Sequence, residues 1–405
     1  MAGAILAAAS AAQAGIVIPA GDWTLDVSGN VNAYDIYSRV SGNNSVVGGL
    51  AGQASTPTTT SGIQNGLLPN FLSFSGSTRQ NDLDVSFTIS LQPGTGNNAP
   101  ISGVGDAGNG GLNNRQAFIT FGDKSWGSVK LGKDLGIFAS DAILSDMTLL
   151  GVGATSGGST SGGNTTLGRI GVGYIYADWK PQIAYTTPNF SGFQATAGIT
   201  QAFQSTGSYT TDNSTVSSYL SIKQANPAYE GKASYSFDAN GVAGKVWVSG
   251  IAQHVATSYV SVQDPMAYAG DVGIKLDYAN AQLVAYYYGG SGVGTTGQME
   301  NGYGYSVTGA NGAARDSYGG YVQATYVLPT KTKIGLSWGE SNLDKASGEA
   351  FDNLVKTNEM WTAGIYHPLT KHLNLVAEYS NLRSTNQINQ ENKANIGSVG
   401  AILFF

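Results

Sequence analysis

The chain has 405 residues, of which 57 are glycine, 22 are tyrosine and only 11 % are charged. This glycine fraction is about twice the ~7 % of an average protein and has no triplet period, which disfavours both a typical soluble enzyme and a collagen. A hydrophobic fraction of 41 % excludes intrinsic disorder, and a net charge of −6 without any basic run argues against nucleic acid as a partner, so a folded, strand-rich protein remains.

The first segment of the chain is apolar. Residues 1–21 carry no charge, and the alanine-rich run 2–14 ends in a small-x-small pattern that is typical of a secretory cleavage site. We therefore expect a signal peptide at residues 1–14, whose usual basic start is missing, followed by one mature domain at 15–405; a short N-terminal helix is the alternative. The absence of cysteine excludes disulfides and thiolate metal sites and suits an exported protein.

Segments of about ten residues that alternate apolar with small or polar side chains recur along the chain, as in 83–92 (LDVSFTISLQ). A period of two places the two sets on opposite faces of a strand. The pattern predicts strands near 23–37, 70–79, 82–92, 112–122, 127–134, 168–180, 181–188, 191–203, 217–223, 228–238, 242–255, 268–278, 281–289, 317–328, 332–340, 359–368, 371–381 and 394–405. Because 168–188 and 217–238 are each interpreted as one bent strand, we predict sixteen strands, with eighteen as the alternative.

Short and long connections alternate between these strands. The segments 123–126, 238–240 and 329–331 are tight, whereas the long ones are rich in Gly, Ser, Thr and Asn and lie at 41–69, 93–111, 138–167, 204–216, 290–316 and 341–358. Charged inward positions cannot pack into one dry core, whereas closure of the sheet leaves no strand edge in lipid. The sequence therefore predicts an all-β fold, a transmembrane antiparallel β-barrel with long extracellular loops and short periplasmic turns.

Aromatic residues near the strand ends fit this prediction. They are typical of the girdles at the two membrane interfaces, although aromatic residues are enriched in strands generally. The residues concerned are Trp23, Tyr37, Trp126, Trp179, Tyr185, Tyr259, Trp338, Trp361 and Tyr379.

Four stretches resemble the sixteen-stranded trimeric general porins of Gram-negative bacteria, nearest to the beta-proteobacterial type. They are a hairpin at 115–133 that contains RQAF and WGSVKLGK, the strand-turn-strand segment 183–193 (IAYTTPNFSGF), the hairpin 366–371 (YHPLTK) and a last strand that ends in Phe405. Three positions depart from the family pattern, because Ala184, Ile402 and Phe404 stand where basic residues are usual. The resemblance therefore does not carry anion selectivity over to this chain.

The resemblance implies that the third loop folds into the lumen and narrows it, with loop carboxylates opposite basic residues of the wall. The acids would be Asp134, Asp141 and Asp146. The basic residues would be Lys133, which stands where the family motif usually has arginine, Lys180, Lys245 and Lys275, which have inward parity, and Arg169, as a rim or lumen charge. Opposed charges across a narrow lumen orient polar solutes and bias ion selectivity. The alternatives are ordinary solvated wall residues and, for residues 143–150, a short helix packed on the wall.

These observations predict a water-filled outer-membrane channel for passive diffusion of small hydrophilic solutes and ions, surrounded by lipid and lipopolysaccharide and, by resemblance, a homotrimer. The alternative is a substrate-selective channel in which Trp247, Tyr286 and Tyr321 stack on a sugar or a small organic acid. A surface adhesin or β-solenoid would show a strict short repeat, which the sequence lacks. The three histidines have no ligand spacing, so no catalysis, metal or cofactor is expected.

Overall fold

The computed structural model describes residues 15–95, 112–155, 165–203, 209–211, 214–216, 226–255, 266–304 and 313–405. The predicted signal peptide and Tyr259 lie outside these ranges. Within them the chain is nearly all strand, with one short α-helix, α1 (Ser140–Ser145), and one 3₁₀ helix, Met147–Leu150. Among the described residues no helix is long and apolar enough to cross a membrane.

The strands are numbered in chain order. The first eleven are β1 (Ile16–Ala20), β2 (Trp23–Gly42), β3 (Ala54–Gln64), β4 (Phe71–Gln80), β5 (Leu83–Pro93), β6 (Leu112–Asp123), β7 (Gly127–Leu135), β8 (Trp179–Thr186), β9 (Phe193–Thr200), β10 (Tyr209–Thr211) and β11 (Ser214–Val216). The others are β12 (Ala228–Ala239), β13 (Val242–His254), β14 (Met266–Tyr278), β15 (Ala281–Ser291), β16 (Tyr303–Gly304), β17 (Ala313–Ala314), β18 (Asp316–Val327), β19 (Lys333–Leu343), β20 (Val355–Pro368), β21 (Leu373–Asn386) and β22 (Glu391–Phe404).

The barrel closes between the last strand and β2. Residues 30–41 of β2 pair with β22 on one side, and residues 34–42 pair with β3 on the other. The beginning of β2 pairs instead with β1 and β4, so β1 continues the line of β22 and β3 continues the line of β4. Of the 18 strands in the main sheet these two are extra pieces, which leaves sixteen strand positions around the barrel. The predicted sixteen-stranded antiparallel barrel is confirmed.

The two ends of the barrel differ in the length of their connections. The turn between β12 and β13 uses Asn240 and Gly241 at φ 53° and 79°, a left-handed pair that suits a two-residue hairpin. At the other end lie the long connections 43–53, 94–111, 136–178, 201–227, 255–265, 292–315 and 344–354. Short turns of outer-membrane barrels face the periplasm, so the long connections are extracellular.

Two sequence-based boundaries are wrong. The segment 41–69, predicted as a loop, contains β3, whose Thr- and Ser-rich residues pair with β2. The segment 168–178, predicted as the start of a bent strand, is irregular chain inside the barrel, and only Trp179–Thr186 is a strand. Of the second bent strand, β12 begins at Ala228, and residues 217–225 lie outside the described ranges.

The outer face of the barrel is apolar. Ile183, Val248 and Leu336 point outward and expose 51, 51 and 59 % of their surface. The predicted girdle residues that are exposed are Tyr37, Trp126, Tyr185, Trp338, Trp361 and Tyr379. An outward belt of this kind is stable where it meets hydrocarbon rather than water.

The buried apolar core lies inside the barrel. Phe138 and Tyr174 of the third long connection pack against Trp247 and Tyr321 of the wall, and a second cluster joins Met147 to the wall of β2 and β20–β22. Part of the inner wall is therefore apolar and is covered by chain that folds inward.

Candidate functional site

The described residues of the third long connection, 136–155 and 165–178, enter the barrel and are called the inserted loop. It turns inward at Gly136, whose N–H donates to Asp178 O at 2.7 Å. A Cβ at this glycine would lie 2.1 Å from Ala177 O, so only glycine lets the two ends of the loop come this close. The prediction that the third loop folds into the lumen holds for its described residues, which include α1 packed on the wall.

Two wall glutamates hold the inserted loop by its backbone. Glu230 of β12 accepts hydrogen bonds from the N–H groups of Ile137 and Phe138 at 2.7 and 2.8 Å. Glu378 of β21 accepts from Val152 and Gly153 at 2.7 and 2.9 Å. A carboxylate that accepts paired N–H groups makes strong, charge-assisted hydrogen bonds. The loop is therefore fastened at separate points of the wall.

Sequence reasoning missed both glutamates. Each has the inward parity that was used to select the lysines, and Glu378 lies among the alternating residues of a predicted strand. That parity shows that a carboxylate points inward, but it does not show which backbone N–H groups it meets. Parity was thus the only signal that could have found them.

Lys180 is part of the Glu230 contact that holds the inserted loop, and it is not an unpaired charge of the lumen. Its ammonium forms an ion pair with Glu230 and donates to Gln298 Oε1 at 2.8 Å. Thr200 Oγ1 donates to the same glutamate at 2.8 Å. Lys180 is 3 % exposed and lies opposite Asp134 in the strand register, but its ion pair is with Glu230 and not with a predicted loop acid.

Asp141, in the first turn of α1, is the point where the inserted loop meets basic wall residues. Its carboxylate forms ion pairs with Lys245 and, at 3.0 Å, with Lys232, whose ammonium also donates to Ser140 Oγ at 2.9 Å. Burial by itself raises the pKa of the Asp141 carboxyl, but the two ammonium groups outweigh it and hold that pKa below its usual range. Asp141 and Lys245 were both selected from the sequence; Lys232 was not.

Asp146 forms no ion pair with a basic residue of the wall among the described residues. It precedes the 3₁₀ helix and accepts hydrogen bonds from Thr148 N and Thr148 Oγ1 at 2.9 and 2.7 Å and from Tyr174 OH at 2.9 Å. Burial, and then the Asp146 carboxylate, raise the pKa of Tyr174 well above its usual value, so the phenol remains a donor. Asp146 thus caps a helix within the loop.

The prediction that Arg169 is a rim or lumen charge is wrong. Its side chain is fully buried in the inserted loop. Its Nη1 donates to Met360 O at 3.1 Å. Burial lowers the pKa of its guanidinium, and the carboxylates of Asp146 and Glu378 oppose that change. No ion pair of Arg169 is found among the described residues, so the carboxylates of Asp146 and Glu378 offset its buried charge through longer-range attraction.

The two predicted residues at the base of the loop separate to opposite faces of β7. Asp134 points inward, where it pairs with Lys130 and accepts from Gln116 Nε2 at 3.0 Å. Lys133 shares the outward face with Val129 and Leu131, and its ammonium donates to Asn114 O at 2.9 Å. The assignment of Lys133 to the lumen is wrong, because adjacent residues of a strand point to opposite faces.

Lys275 points inward from β14 and lies opposite Lys245 in the strand register. Together with Lys333 of β19 it lines a cavity beneath the inserted loop, which Asp146 and Met147 of the loop also line. No ion pair of either lysine is found among the described residues. Lys275 is thus inward, as predicted, but is not in contact with Asp141.

The aromatic residues proposed to stack on a solute are covered. Trp247, Tyr286 and Tyr321 are 3, 5 and 1 % exposed. Tyr321 OH donates to Ala142 O at 2.8 Å, and its ring lies against those of Tyr174 and Tyr286. These side chains hold the inserted loop, so they present no free stacking surface.

A different part of the wall remains hydrophilic. The inward positions of β4–β9 and β12 carry mostly Ser, Thr, Gln and Lys, and several stay partly exposed. The partly or fully exposed ones include Ser75, Ser77, Ser86, Gln116, Thr120, Lys130, Gln194, Thr196 and Lys232. We call these strands the polar arc, and we call β13–β15 and β18–β22 with β2 the covered arc. The described residues hold no group of three or more His, Asp or Glu that could bind a metal.

A family model described as Gram-negative porin matches residues 2–387 of the chain. The chain belongs to the Gram-negative porin family. This porin is therefore an integral outer-membrane channel through which solutes diffuse passively, and the predicted family, fold, function and location are confirmed. Members of the family are channel proteins. A comparison with curated protein sequences returned no match.

Solved structures share the fold of this porin at low sequence identity. The outer membrane channel DcaP of Acinetobacter baumannii is 15 % identical, with a TM-score of 0.67 over 97 % of this chain and 100 % of that one. An anion-selective porin from Comamonas acidovorans is 15 % identical, with a TM-score of 0.57 over 95 and 100 %. OmpF of Salmonella typhi, in complex with daunomycin, is 15 % identical, with a TM-score of 0.57 over 96 and 100 %.

Proposed function

We propose that small hydrophilic solutes and ions pass between the inserted loop and the polar arc, and that the narrowest part is bounded by Asp141, Lys232 and Lys245. The observation that carries this proposal is the position of α1, whose acidic first turn pairs with two lysines on the neighbouring strands β12 and β13. Lys130 and Asp134 continue the charged boundary on β7. Such fixed charges select solutes by polarity and charge rather than by identity.

The balance of these charges favours anions. Both acids at the boundary, Asp134 and Asp141, are neutralised by ion pairs. Asp141 meets two lysines, so one positive charge is left over, and Lys275 adds another. Rings of like charge bias the ions that enter a pore. The channel is expected to prefer chloride over potassium.

The test is the reversal potential of the purified channel in planar bilayers across a KCl gradient. Wild type should give stepwise conductance and a potential of the anion-selective sign. Asp141→Asn should raise the chloride preference and Lys245→Gln should lower it, each by roughly twofold for a partly screened charge. Lys371→Gln, in an exposed periplasmic turn, is the matched control and should change nothing.

Three outcomes would count against the proposal. A silent membrane at high protein load would exclude an open channel. Unchanged selectivity in both variants would remove the boundary assignment while leaving the channel intact. A cation-selective wild type would contradict the charge balance.

The outer face supports a homotrimer. Asp35 and Arg39 of β2 point outward and are exposed, and Asp35 lies between the apolar residues Ile63 and Val399 in the strand register. A charged side chain facing lipid costs free energy, which contact with a second copy of the chain avoids. Chemical cross-linking of outer membranes should give a species of three copies, and Asp35→Arg should reduce it. A cross-linked wild type that stays monomeric would contradict the trimer.

The remaining surface defines the surroundings of the channel. The outward apolar belt contacts membrane lipid, and Lys133, near the extracellular end of β7, is placed to meet a lipopolysaccharide phosphate. Lys133→Gln should weaken lipopolysaccharide retention during purification. No catalytic step belongs to the proposed function.

A further inference from the structure

A cavity lies beneath the inserted loop, on the side of the periplasmic turns. Its roof is the end of α1 with the 3₁₀ helix, and its walls come from β14, β15, β18, β19 and β22 and from the start of β4. It lies apart from the Asp141 ion pairs, at the other end of α1. The cavity and the Asp141 ion pairs are neighbours on the wall, because Lys275 of the cavity lies opposite Lys245 of the ion pairs in the strand register.

One side of the cavity is cationic. Lys275 and Lys333 both line it, and no carboxylate forms an ion pair with either of them among the described residues. Lys333 instead lies over the ring of Tyr366, 4.6 Å from its centroid. The one acid that lines the cavity, Asp146, already accepts three hydrogen bonds, from Thr148 and Tyr174. Glu378 attracts the Lys333 ammonium electrostatically but forms no ion pair with it, so among the described residues neither ammonium group has a carboxylate in contact.

Much of the remaining cavity lining is apolar. Leu68 and Phe71, at the break between β3 and β4, face it together with Leu144 of α1 and Phe404 of β22. Phe404 is held in place because the neighbouring Phe405 exchanges backbone hydrogen bonds with Gly29 at 2.8 and 3.1 Å. A concave surface with mostly apolar walls and a few convergent polar groups is typical of a binding site for a small organic molecule.

We propose that this cavity binds a small organic acid, with its carboxylate between Lys275 and Lys333 and a short hydrocarbon body against Leu144 and Phe404. The proposal rests on the proposed channel function and names a solute class that binds beneath the inserted loop, at the periplasmic end of the lumen. Two ammonium groups favour a carboxylate through charge-assisted hydrogen bonds, and the apolar side adds free energy for each buried methylene. Inorganic anions lack the hydrocarbon body, and alkylammonium ions have the wrong charge.

The test is current block by hexanoate, compared with acetate and hexylammonium, in planar bilayers that contain the channel. Hexanoate should block saturably and should bind more tightly than acetate, by about twofold to fourfold for each added methylene that is buried. Hexylammonium should not block. Lys275→Gln and Lys333→Gln should each weaken the block by about tenfold, as expected for loss of a charge-assisted hydrogen bond. Lys371→Gln is again the control.

Equal block by acetate and hexanoate, or unchanged block in both lysine variants, would overturn the proposed binding site. Normal conductance in the same experiment would leave the channel function intact. A protein that does not conduct would contradict the channel function instead. In that case equilibrium dialysis of radiolabelled hexanoate against the detergent-solubilised protein still tests the site. Binding that both lysine variants weaken supports it, and absence of binding to wild type excludes it.

Discussion

The polar arc and the covered arc are built from the same kind of strand but carry different inward residues. On the polar arc, positions such as Ser86, Thr120 and Thr196 stay partly exposed. On the covered arc, Tyr321 and Met360 are buried to 1 and 0 % exposure under the inserted loop. An inward position is thus hydrophilic where it meets water and apolar where it meets the loop. The inner wall of one barrel serves both as a channel lining and as half of a hydrophobic core.

The largest expected difference between the two arcs concerns packing. Tyr321→Ala should lower the free energy of unfolding by about 4 kcal/mol, because it removes a buried ring and leaves a cavity. Thr120→Ala on the polar arc should cost less than about 0.5 kcal/mol, since its inward surface already meets water. Urea unfolding of protein refolded into phospholipid vesicles measures both. Similar costs would show that the loop does not pack on the covered arc.

A second effect concerns the anchors of the loop. Glu378→Gln should destabilise the protein by about 2 kcal/mol, because one carboxylate oxygen becomes an NH2 group that cannot accept, either from Tyr366 OH or from Val152 N and Gly153 N. The open-channel current should also become noisier as that part of the loop moves. Asp238→Asn, near an exposed turn, is the matched control. A quiet, fully stable Glu378→Gln channel would exclude an anchoring role.

A smaller effect is expected at the helix cap. Asp146→Ala should cost about 1 kcal/mol, because the 3₁₀ helix loses its cap at Thr148 N. Asp146→Asn should retain most of that stability, since asparagine caps as well as aspartate does. Neither change should alter ion selectivity, because the Asp146 carboxylate is engaged within the loop. A change of reversal potential in Asp146→Asn would place this residue in the ion path after all.

The smallest effect at neutral pH concerns Asp141. Its pKa is held below the usual range in the folded protein, so its ion pairs contribute stability above the unfolded pKa of ~3.9 and lose that contribution as the pH falls through the lower, folded value. Because Asp141 stays ionised between about pH 5 and pH 8, its titration should not change the conductance of wild type in that range. Wild type should approach the behaviour of Asp141→Asn only as the pH falls through that folded value, which lies below the ordinary pKa of an aspartate. The difference between the two channels, measured against pH, gives the test.

The sequence-based predictions succeeded for the direction of a side chain and failed for what covers that side chain in the folded barrel. The period-two alternation along a strand correctly predicted that Lys245 and Lys275 point inward. It could have predicted the same direction for Glu230. The same parity, had it been applied to Lys133, would have placed it outward; the resemblance motif placed it in the lumen instead. Trp247 and Tyr286 were correctly placed on the inner face, but their burial depends on a loop that is distant in the sequence. Parity assigns a face and does not identify what covers it.

The sequence by itself determined the barrel, because an alternation of period two and tight turns such as Asn240-Gly241 are local properties of the chain. The tertiary structure alone decided which inward residues remain in water. Glu378 meets Val152 and Gly153 across 226 and 225 residues of sequence, and Tyr321 meets Ala142 across 179. Such contacts depend on how the closed barrel and the inserted loop fit together in space, and no local pattern encodes that fit.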